Sequence, residues 1–423
     1  MLDINFIKEN IELVKEAVRK KRVSVDIDLL LSVDEKRRGL QRHVEEKRAK
    51  QNEVTEKIAQ TSSPTERESL IKEMQSHKGL IKKDEDELKE VVRTWQKLMV
   101  MVPNVPDMSV PEGDSDEENQ EVKKWGEKPT FEFTPRNHSD LMKELDMADF
   151  ERGVKVAGFR GYFLKNDGAL LAWAVWQYAQ SFFMQKGFTP IIVPSLVRKE
   201  SFIGTGYLPQ SEDDLYKTQD DEYLAGTAEV ATMGYFMDET LTKESLPHKF
   251  LAFSPCFRRE AGSHGKDTNG LIRVHEFYKW EQVVLCEASH EESVKWHEWL
   301  NKNTEEFIES LGIPYRVVVN CSGDLGLGQV KKYDIELWVP GEEKYREISS
   351  ASYFHDFQTR RLNIRYKDSD GKSKYTHSLN GTAAPTPRIL VSLVENYQQA
   401  DGSIVIPEVL RSYMGKDVIR REN

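Results

Sequence analysis

Between residues 27 and 99 the apolar positions recur every seven residues, with little else apolar between them. Met74, Ile81, Leu88 and Trp95 form one row; Leu70, Val91 and Leu98 form its neighbour, broken by His77 and Asp84. Upstream, Val33, Leu40 and Val54 share a row interrupted by Lys47, and Val44 and Ile58 share another interrupted by Gln51. Positions seven apart lie on one stripe of an α-helix, and two such stripes zip into a coiled coil. The segment TSSPTERE between them has the Ser, Thr and Pro of a turn followed by a helix start. The pattern predicts two long helices, 27–60 and 66–99, folded back as an antiparallel arm of roughly 50 Å at ~1.5 Å per residue. The polar residues that interrupt both seams suit an arm standing in solvent. The start, MLDINFIKENIELVKEAVRKKR, reads as one amphipathic helix. It carries acids and has no apolar h-region, so it is not a signal peptide.

The periodicity changes after residue 102. VPNVPDMSVPEGDSDEENQEVKKWGEKPT is rich in Pro and acids and reads as a linker. The boundaries expected are a helical domain over 1–105, a linker over 106–130 and a second domain over 131–423. Within the latter, GALLAWAVWQYAQSFFMQKG (168–187) predicts a helix with a buried face and a closing glycine. GFTPIIVPSLV is a strand interrupted by prolines, which places it at an edge or interface. HKFLAFSPCFRRE, LIRVHEFYKWEQVVL, PYRVVVN, KYDIELWVP and YREISSASYF read as strands, and PRILVSLVENYQ as a helix. Consecutive strands with few helices between them predict an α+β domain on a largely antiparallel sheet.

Composition narrows the class. The 423 residues are 38% hydrophobic and 31% charged, room for two or three domains with a good core. No apolar run reaches the ~18 residues of a membrane helix, so no membrane association is expected. Cys256, Cys286 and Cys321 are scattered without a CxxC spacing, against a disulfide framework or a cysteine zinc site. A reducing, cytoplasmic setting follows. The net charge of −11 is uneven: residues 1–100 hold 22 Lys and Arg against 20 Asp and Glu, and the rest is strongly acidic. That asymmetry suits a polyanionic partner at the N-terminal end, and equally a solvated helical surface. Neither GxGxxG nor GxxxxGK[ST] is present, so neither familiar glycine loop holds phosphate.

The densest chemistry lies in CFRREAGSHGKDTNGLIRVHEFYKWE (256–281). Read as two strands with period two, one face gathers Arg258, Glu260, Arg273, Phe277 and Glu281, with Lys279 among them. The other carries Ile272, Val274, Tyr278, Trp280 and Val284, a core face. This stretch resembles motif 2 of the class II aminoacyl-tRNA synthetases and, within them, the seryl-tRNA synthetase family. Other segments agree in order. GFTPIIVPS is similar to motif 1, with Pro194 its central proline. GTGYLPQ and GTAEVA resemble the serine-site segments, YREISSASYFHDFQTRRLNIRY the ATP and magnesium segment, and SLNGTAAPTPRILVSLVENYQQADGSIVIPEVLRSYM motif 3. The N-terminal hairpin resembles the family's tRNA-binding arm. GTAAPTP departs from the smaller, glycine-containing sequence usual before the motif 3 arginine.

The resemblance implies a mostly antiparallel, roughly six- to seven-stranded sheet flanked by helices. It also implies ATP-dependent activation of L-serine to seryl-adenylate and transfer to tRNA(Ser), and leaves tRNA(Sec) open as a second acceptor. It assigns Arg258 to the α-phosphate and the serine carboxylate, because a planar fork meets two anions at once. Arg259, Glu260, Arg273, Val274, Phe277, Ile348, Ser349, Ser350 and Arg388 would complete the ATP site. Glu347 and Ser350 would hold Mg²⁺, which favours few protein ligands plus phosphate oxygens. Arg258, Glu347 and Arg388 would carry the catalysis. Thr227, Ala228, Glu229, Glu281, Asn380 and Thr382 would bind serine. The arm would contact tRNA through Lys36, Arg37, Arg38, Arg42, Lys47, Arg48 and Lys50, and the chain would work as a homodimer through the motif 1 region. His264, His275 and His355 are expected to be structural, and Cys256 a small buried hydrophobe. An amino acid–carrier-protein ligase of related fold would lack the arm, and a non-catalytic paralogue would have lost the ATP arginines or the metal acid.

Overall fold

The computed structural model describes residues 1–423 apart from Ser263, His264, Lys266, Glu422, Asn423 and the side chain of Ser76. The expectation for His264 therefore lies outside the described residues. The chain divides into two compact units, Leu2–Pro103 and Asn104–Asn423, the latter joined by Met1.

The first unit is helical. The single amphipathic helix expected at the start is two, α1 (Ile4–Glu9) and α2 (Ile11–Lys20), because Asn10 leaves helical geometry at φ −131° and ψ 44°. Its side-chain amide donates to the Phe6 carbonyl at 3.0 Å, the local competition with the backbone that makes Asn a helix breaker. Helix α3 spans Ile27–Gln60, capped by Asp26 accepting from the Leu29 amide, and α4 spans Pro64–Met99. The second helix starts two residues earlier than expected, since Pro64 is tolerated in the first turn, where no intrahelical donor is needed. Val44, Val54 and Ile81 are buried and Met74, Leu88 and Trp95 are half-buried, a thin apolar seam. Two of the polar residues in that seam pair with each other. Lys47 meets Asp84 across the hairpin at 2.6 Å, beside Arg48–Glu85 at 2.6 Å and Lys36–Glu87 at 2.7 Å.

The second unit is built on an eight-stranded sheet: β1 (Gln120–Trp125), β2 (Thr189–Ile192), β3 (His248–Phe257), β4 (Glu276–Cys286), β5 (Tyr315–Val319), β6 (Lys331–Val339), β7 (Lys344–Tyr353) and β8 (His377–Thr386). The spatial order is β1-β5-β6-β7-β8-β4-β3-β2. All neighbours are antiparallel except β2, which runs parallel to β3 at the edge. The count exceeds six or seven because β1 comes from residues expected to be linker. Its pairing with β5 uses backbone groups; Val122 is exposed and Trp125 alone of its apolar residues packs, stacked on Tyr315 at 5.8 Å, too little for a hydrophobic signature.

Helices α5 (Asp167–Gln185) and α7 (His290–Ser310) cover one face of the sheet, and a short α6 (Glu229–Gly234) lies between them in sequence. In α5 the residues Leu171, Ala172, Val175, Ala179 and Phe183 repeat at three and four and are buried. Phe183 and Phe307 meet at 5.5 Å in the core. On β4 the alternation is literal. Trp280 donates to the Trp176 carbonyl of α5 at 3.1 Å, and Gln282 to the Leu300 carbonyl of α7 at 3.2 Å. Phe277, Lys279 and Glu281 turn the other way, into a cleft. Two helices finish the frame, α8 (Phe357–Arg361) and α9 (Arg388–Asn396). Among the described residues no helix is long and apolar enough to cross a membrane.

Candidate active site

The cleft floor is made by β4, β7 and β8, and two irregularities aim their side chains. Glu281 pairs with Thr382 and Trp280 with Ala384, leaving Ala383 as an extra residue in β8. Ser349 pairs with Ile335 and Glu347 with Glu336, leaving Ile348 extra in β7. In a regular strand Glu347 and Ser350, three apart, would face opposite sides. The bulge brings both to the cleft.

The deepest charges are an ion pair. Lys279 and Glu281 are buried and in direct contact. The Lys279 ammonium also donates to Thr227 Oγ1 at 2.9 Å, and the Thr227 and Thr382 hydroxyls lie 3.3 and 3.5 Å from Glu281 Oε2. A second buried carboxylate sits beside this pair on different terms. Glu229 accepts from Gln358 Nε2 at 2.7 Å and from the Tyr207 hydroxyl at 3.1 Å, both neutral donors. Burial pushes Glu229 up to about 7, with the Glu281 charge adding to the effect.

Above this floor lie the guanidinium groups. Arg258 Nε donates to the Gly226 carbonyl at 3.3 Å, and its guanidinium sits 5.3 Å from the Phe277 ring centroid. Gly226 permits the approach: a Cβ there would stand 3.2 Å from both Arg258 Cγ and the Phe257 carbonyl oxygen. Arg273 bridges Glu260 and Asp267, each at 2.9 Å. Arg388, first residue of α9, donates to the Ile272 carbonyl at 2.9 Å and the Glu347 carbonyl at 2.7 Å. The Glu347 carboxylate is half exposed and lies 3.8 Å from Arg388. Desolvation opposes its charge, yet Arg388, Lys332 and Arg258 hold it below the usual carboxylate range.

Of the sequence-predicted residues, Thr227, Glu229, Arg258, Glu260, Arg273, Val274, Phe277, Glu281, Glu347, Ile348, Ser350, Asn380, Thr382 and Arg388 line this one cleft. Ile272 and Val274, read as core, are nearly buried and line it as well. Three predicted positions do not line it. Arg259 turns outward to the Asp213 carbonyl at 3.0 Å. Ser349 falls on the opposite face of β7 and donates to the Thr382 carbonyl at 2.7 Å. Ala228 is buried, its carbonyl accepting from the Thr232 hydroxyl. Residues without an assigned role complete the site. Lys279 was signalled by its period-two spacing with Phe277 and Glu281, and Tyr207 by its place in GTGYLPQ. Gln358 lies in the quoted segment 345–366, which marked it for the nucleotide and not for the amino-acid site. His275 bonds the Arg258 carbonyl at 2.9 Å and lies outside the cleft lining; Cys256 is fully buried.

On the arm, Arg37 pairs with Asp34 at 2.8 Å and covers Trp95, whereas Arg38, Arg42 and Lys50 are exposed. With Lys36, Lys47 and Arg48 paired to α4, the arm's basic face is partly neutralised by its own acids.

A largely antiparallel sheet with arginines above a polar floor and an arginine opening the helix that follows its strand β8 is the core of a class II tRNA synthetase. The family model described as tRNA synthetase class II core domain (G, H, P, S and T) matches residues 213–397. The model for the seryl-tRNA synthetase N-terminal domain matches residues 1–106. The chain is 45% identical over 416 residues to the serine–tRNA ligase of Deinococcus radiodurans, covering 98% of each chain. It is 44% identical to that of Thermodesulfovibrio yellowstonii, covering 99% of this chain and 100% of the relative. The crystal structure of seryl-tRNA synthetase from Pyrococcus horikoshii complexed with ATP superposes with a TM-score of 0.91 at 37% identity, over 100% of both chains. The cytoplasmic enzyme of Naegleria fowleri in complex with AMP gives 0.87 at 32% identity, over 100% of this chain and 99% of that one. The chain belongs to the seryl-tRNA synthetase family, ligases of class II.

Removing one partner of a buried ion pair strands the other charge, at about 3–5 kcal/mol. Lys279→Met is therefore expected to lower the unfolding free energy by that amount in urea titration. Lys279→Met combined with Glu281→Leu should recover most of the loss, giving a large coupling in the double-mutant cycle.

Proposed function

We propose that the protein activates L-serine with ATP to seryl-adenylate and then transfers serine to the 3′ end of tRNA(Ser). The observation that carries this reading is the inequality of the two buried carboxylates. Glu281 already has a cation, Lys279, and is flanked by two hydroxyls. Glu229 is held by neutral donors. An α-ammonium placed against Glu229 gains a full ion pair, while a substrate hydroxyl placed between Glu281 and Thr382 donates to a fixed acceptor. A site built to bond a hydroxyl rejects analogues without one far better than an apolar pocket does.

Arg258 then meets the serine carboxylate and the ATP α-phosphate together. It neutralises two anions that must approach, and it stabilises the charge that grows at phosphorus as a carboxylate oxygen attacks and pyrophosphate leaves. Phe277 and Arg388 take the faces of the adenine, with the Val274 main chain at its edge. Glu260 and Arg273 bond each other in the structure. Nucleotide entry exchanges that contact for the adenine amino group on Glu260 and the outer phosphates on Arg273. In the second step a terminal ribose hydroxyl of tRNA attacks the acyl carbon and AMP leaves, with no dedicated protein base.

The residues fit Mg²⁺. Glu347 is held anionic and half exposed, Ser350 lies on the same face, and among the described residues no group of three or more acids, His or Cys forms a metal cage. Two protein oxygens plus phosphate oxygens are what Mg²⁺ accepts, and it would neutralise charge on the phosphates. Arg38, Arg42, Arg48 and Lys50 supply exposed charge for tRNA on α3. Lys36, Arg37 and Lys47 join them by loosening their present ion pairs, as Arg48 must loosen its own to Glu85. Exposed Phe163 and Trp173, at 45% and 54%, share an apolar groove. Ile192, on edge strand β2, is 84% exposed. These surfaces support a homodimer through the motif 1 region. The setting is cytoplasmic.

Exchange of pyrophosphate into ATP without tRNA should depend on Mg²⁺ and on serine, and not on threonine, alanine, cysteine or glycine; no exchange with any of them would sink the reading. Because Glu229 must lose its proton to pair an ammonium, kcat/KM for serine should rise with pH up to about 7 and then level off. Glu229→Gln should remove that limb and raise the serine KM by about tenfold or more. Charge reversal at Arg42 and Arg48 should leave exchange intact, weaken tRNA(Ser) binding and flatten its salt dependence; tRNA(Sec) charging is read in the same assay. Trp173→Asp should sediment as a monomer where the parent sediments as a dimer.

A further inference from the structure

We propose that Gln358, together with Ser378, is a positioning residue of the amino-acid site, presenting the Glu229 carboxylate to the substrate as a charged acceptor. The proposal rests on the placement of the substrate ammonium at Glu229 given above. Gln358 lies on α8, is buried and does not line the cleft, so it acts only through what it touches.

Its amide makes three hydrogen bonds to three elements. Nε2 donates to the Thr205 carbonyl at 3.2 Å and to Glu229 Oε1 at 2.7 Å, and Oε1 accepts from the Ser378 hydroxyl at 2.7 Å. These contacts settle which end of the amide faces Glu229. A backbone carbonyl can only accept, so the nitrogen must face Thr205 and therefore Glu229 as well. A flipped amide would set its oxygen against two acceptors in a buried place. Ser378 secures this from the other end. Its main chain is anchored twice, its amide donating to the His355 carbonyl and its carbonyl accepting from the Phe354 amide, each at 3.0 Å. Thr205, Glu229, Gln358 and Ser378 are all buried, which makes each bond costly to lose.

The consequence is chemical. A donor of fixed orientation favours the ionised carboxylate. Glu229 needs that support, since burial and the neighbouring Glu281 both press it toward its neutral form, while Lys279 and the Tyr207 hydroxyl oppose them. Without the Gln358 donor, Glu229 would hold its proton to higher pH, and a neutral acid offers an ammonium far less. A merely structural glutamine, tying α8 to β8, would instead lower stability without touching the protonation of the site.

The test is serine-dependent pyrophosphate exchange by the full-length enzyme over pH 6–9, with Gln358→Met, Ser378→Ala and Glu229→Gln. Gln358→Met should raise the serine KM about tenfold at pH 7 and move the acidic limb upward by about one pH unit. The kcat and the ATP KM should stay within about twofold of the parent. Ser378→Ala should move the same quantities in the same direction by less, and it decides the question alone if Gln358→Met does not fold. An unmoved limb, or equal losses in serine KM, ATP KM and kcat, overturns the proposal. An unchanged serine KM in Glu229→Gln overturns the placement of the ammonium and this proposal with it. A changed KM there beside an unmoved limb in Gln358→Met overturns this proposal alone.

Discussion

Charge kept where water scarcely reaches is the constraint on which the cleft depends. Glu281 sits in the floor of a sheet whose other face is packed against two helices, with Lys279 touching it and two threonine hydroxyls beside it. An isolated carboxylate in such a place would take up a proton rather than bear the desolvation. The pair brings order to its neighbours. Lys279 holds Thr227, Thr227 opens the turn that carries Glu229, and the Glu281 charge raises the proton affinity of Glu229. Two carboxylates close together thus differ in their partners, a cation for one and neutral donors for the other, which is how one pocket can treat an ammonium and a hydroxyl differently.

The sheet makes this possible by interrupting its own regularity. Strict alternation would send Glu347 and Ser350 to opposite sides, and the extra residue Ile348 in β7 corrects this. In β8, Asn380 and Thr382 share the cleft face by ordinary alternation, and the extra residue Ala383 follows them. Pro385 in β8 is accommodated for a related reason. The pairing of β8 with β7 covers Leu379 to Gly381 only, so Pro385 lies where no β7 neighbour asks for its missing donor. The departure in GTAAPTP is therefore carried by a strand that is unpaired on that side.

In the helical unit the same economy appears at the surface. Two of the residues that break the heptads are cross-paired, Lys47 with Asp84, flanked by Arg48 with Glu85. Exposed pairs of this kind contribute little to stability. They specify which stretch of α3 lies against which stretch of α4, and they keep a weakly basic surface from being a strongly basic one. Contact with a polyanion then has to compete with the arm's own acids.

Local pattern was enough to show the arm, because heptad spacing is a property of one helix at a time and Ile81, Val44 and Val54 sit in the seam their spacing implies. It was enough to show the charged face of β4, because Phe277, Lys279 and Glu281 alternate with Trp280 and Val284 whatever surrounds them. The ordered motifs marked the family and most of the residues in the cleft. Tertiary structure alone decided the rest. Strand β1 pairs through its backbone and packs one apolar side chain, Trp125 on Tyr315, too few to show a period. Arg259, Ser349 and Ala228 are adjacent to cleft residues in sequence but face away, because a bond direction and not a sequence neighbour decides what a side chain meets. Asn10 divides a helix by a bond that only the folded turn reveals. Gln358 is brought beside Glu229, 129 residues earlier, by the packing of α8. A hydrogen bond between residues so far apart depends on where the chain returns, and no periodicity in the sequence records that.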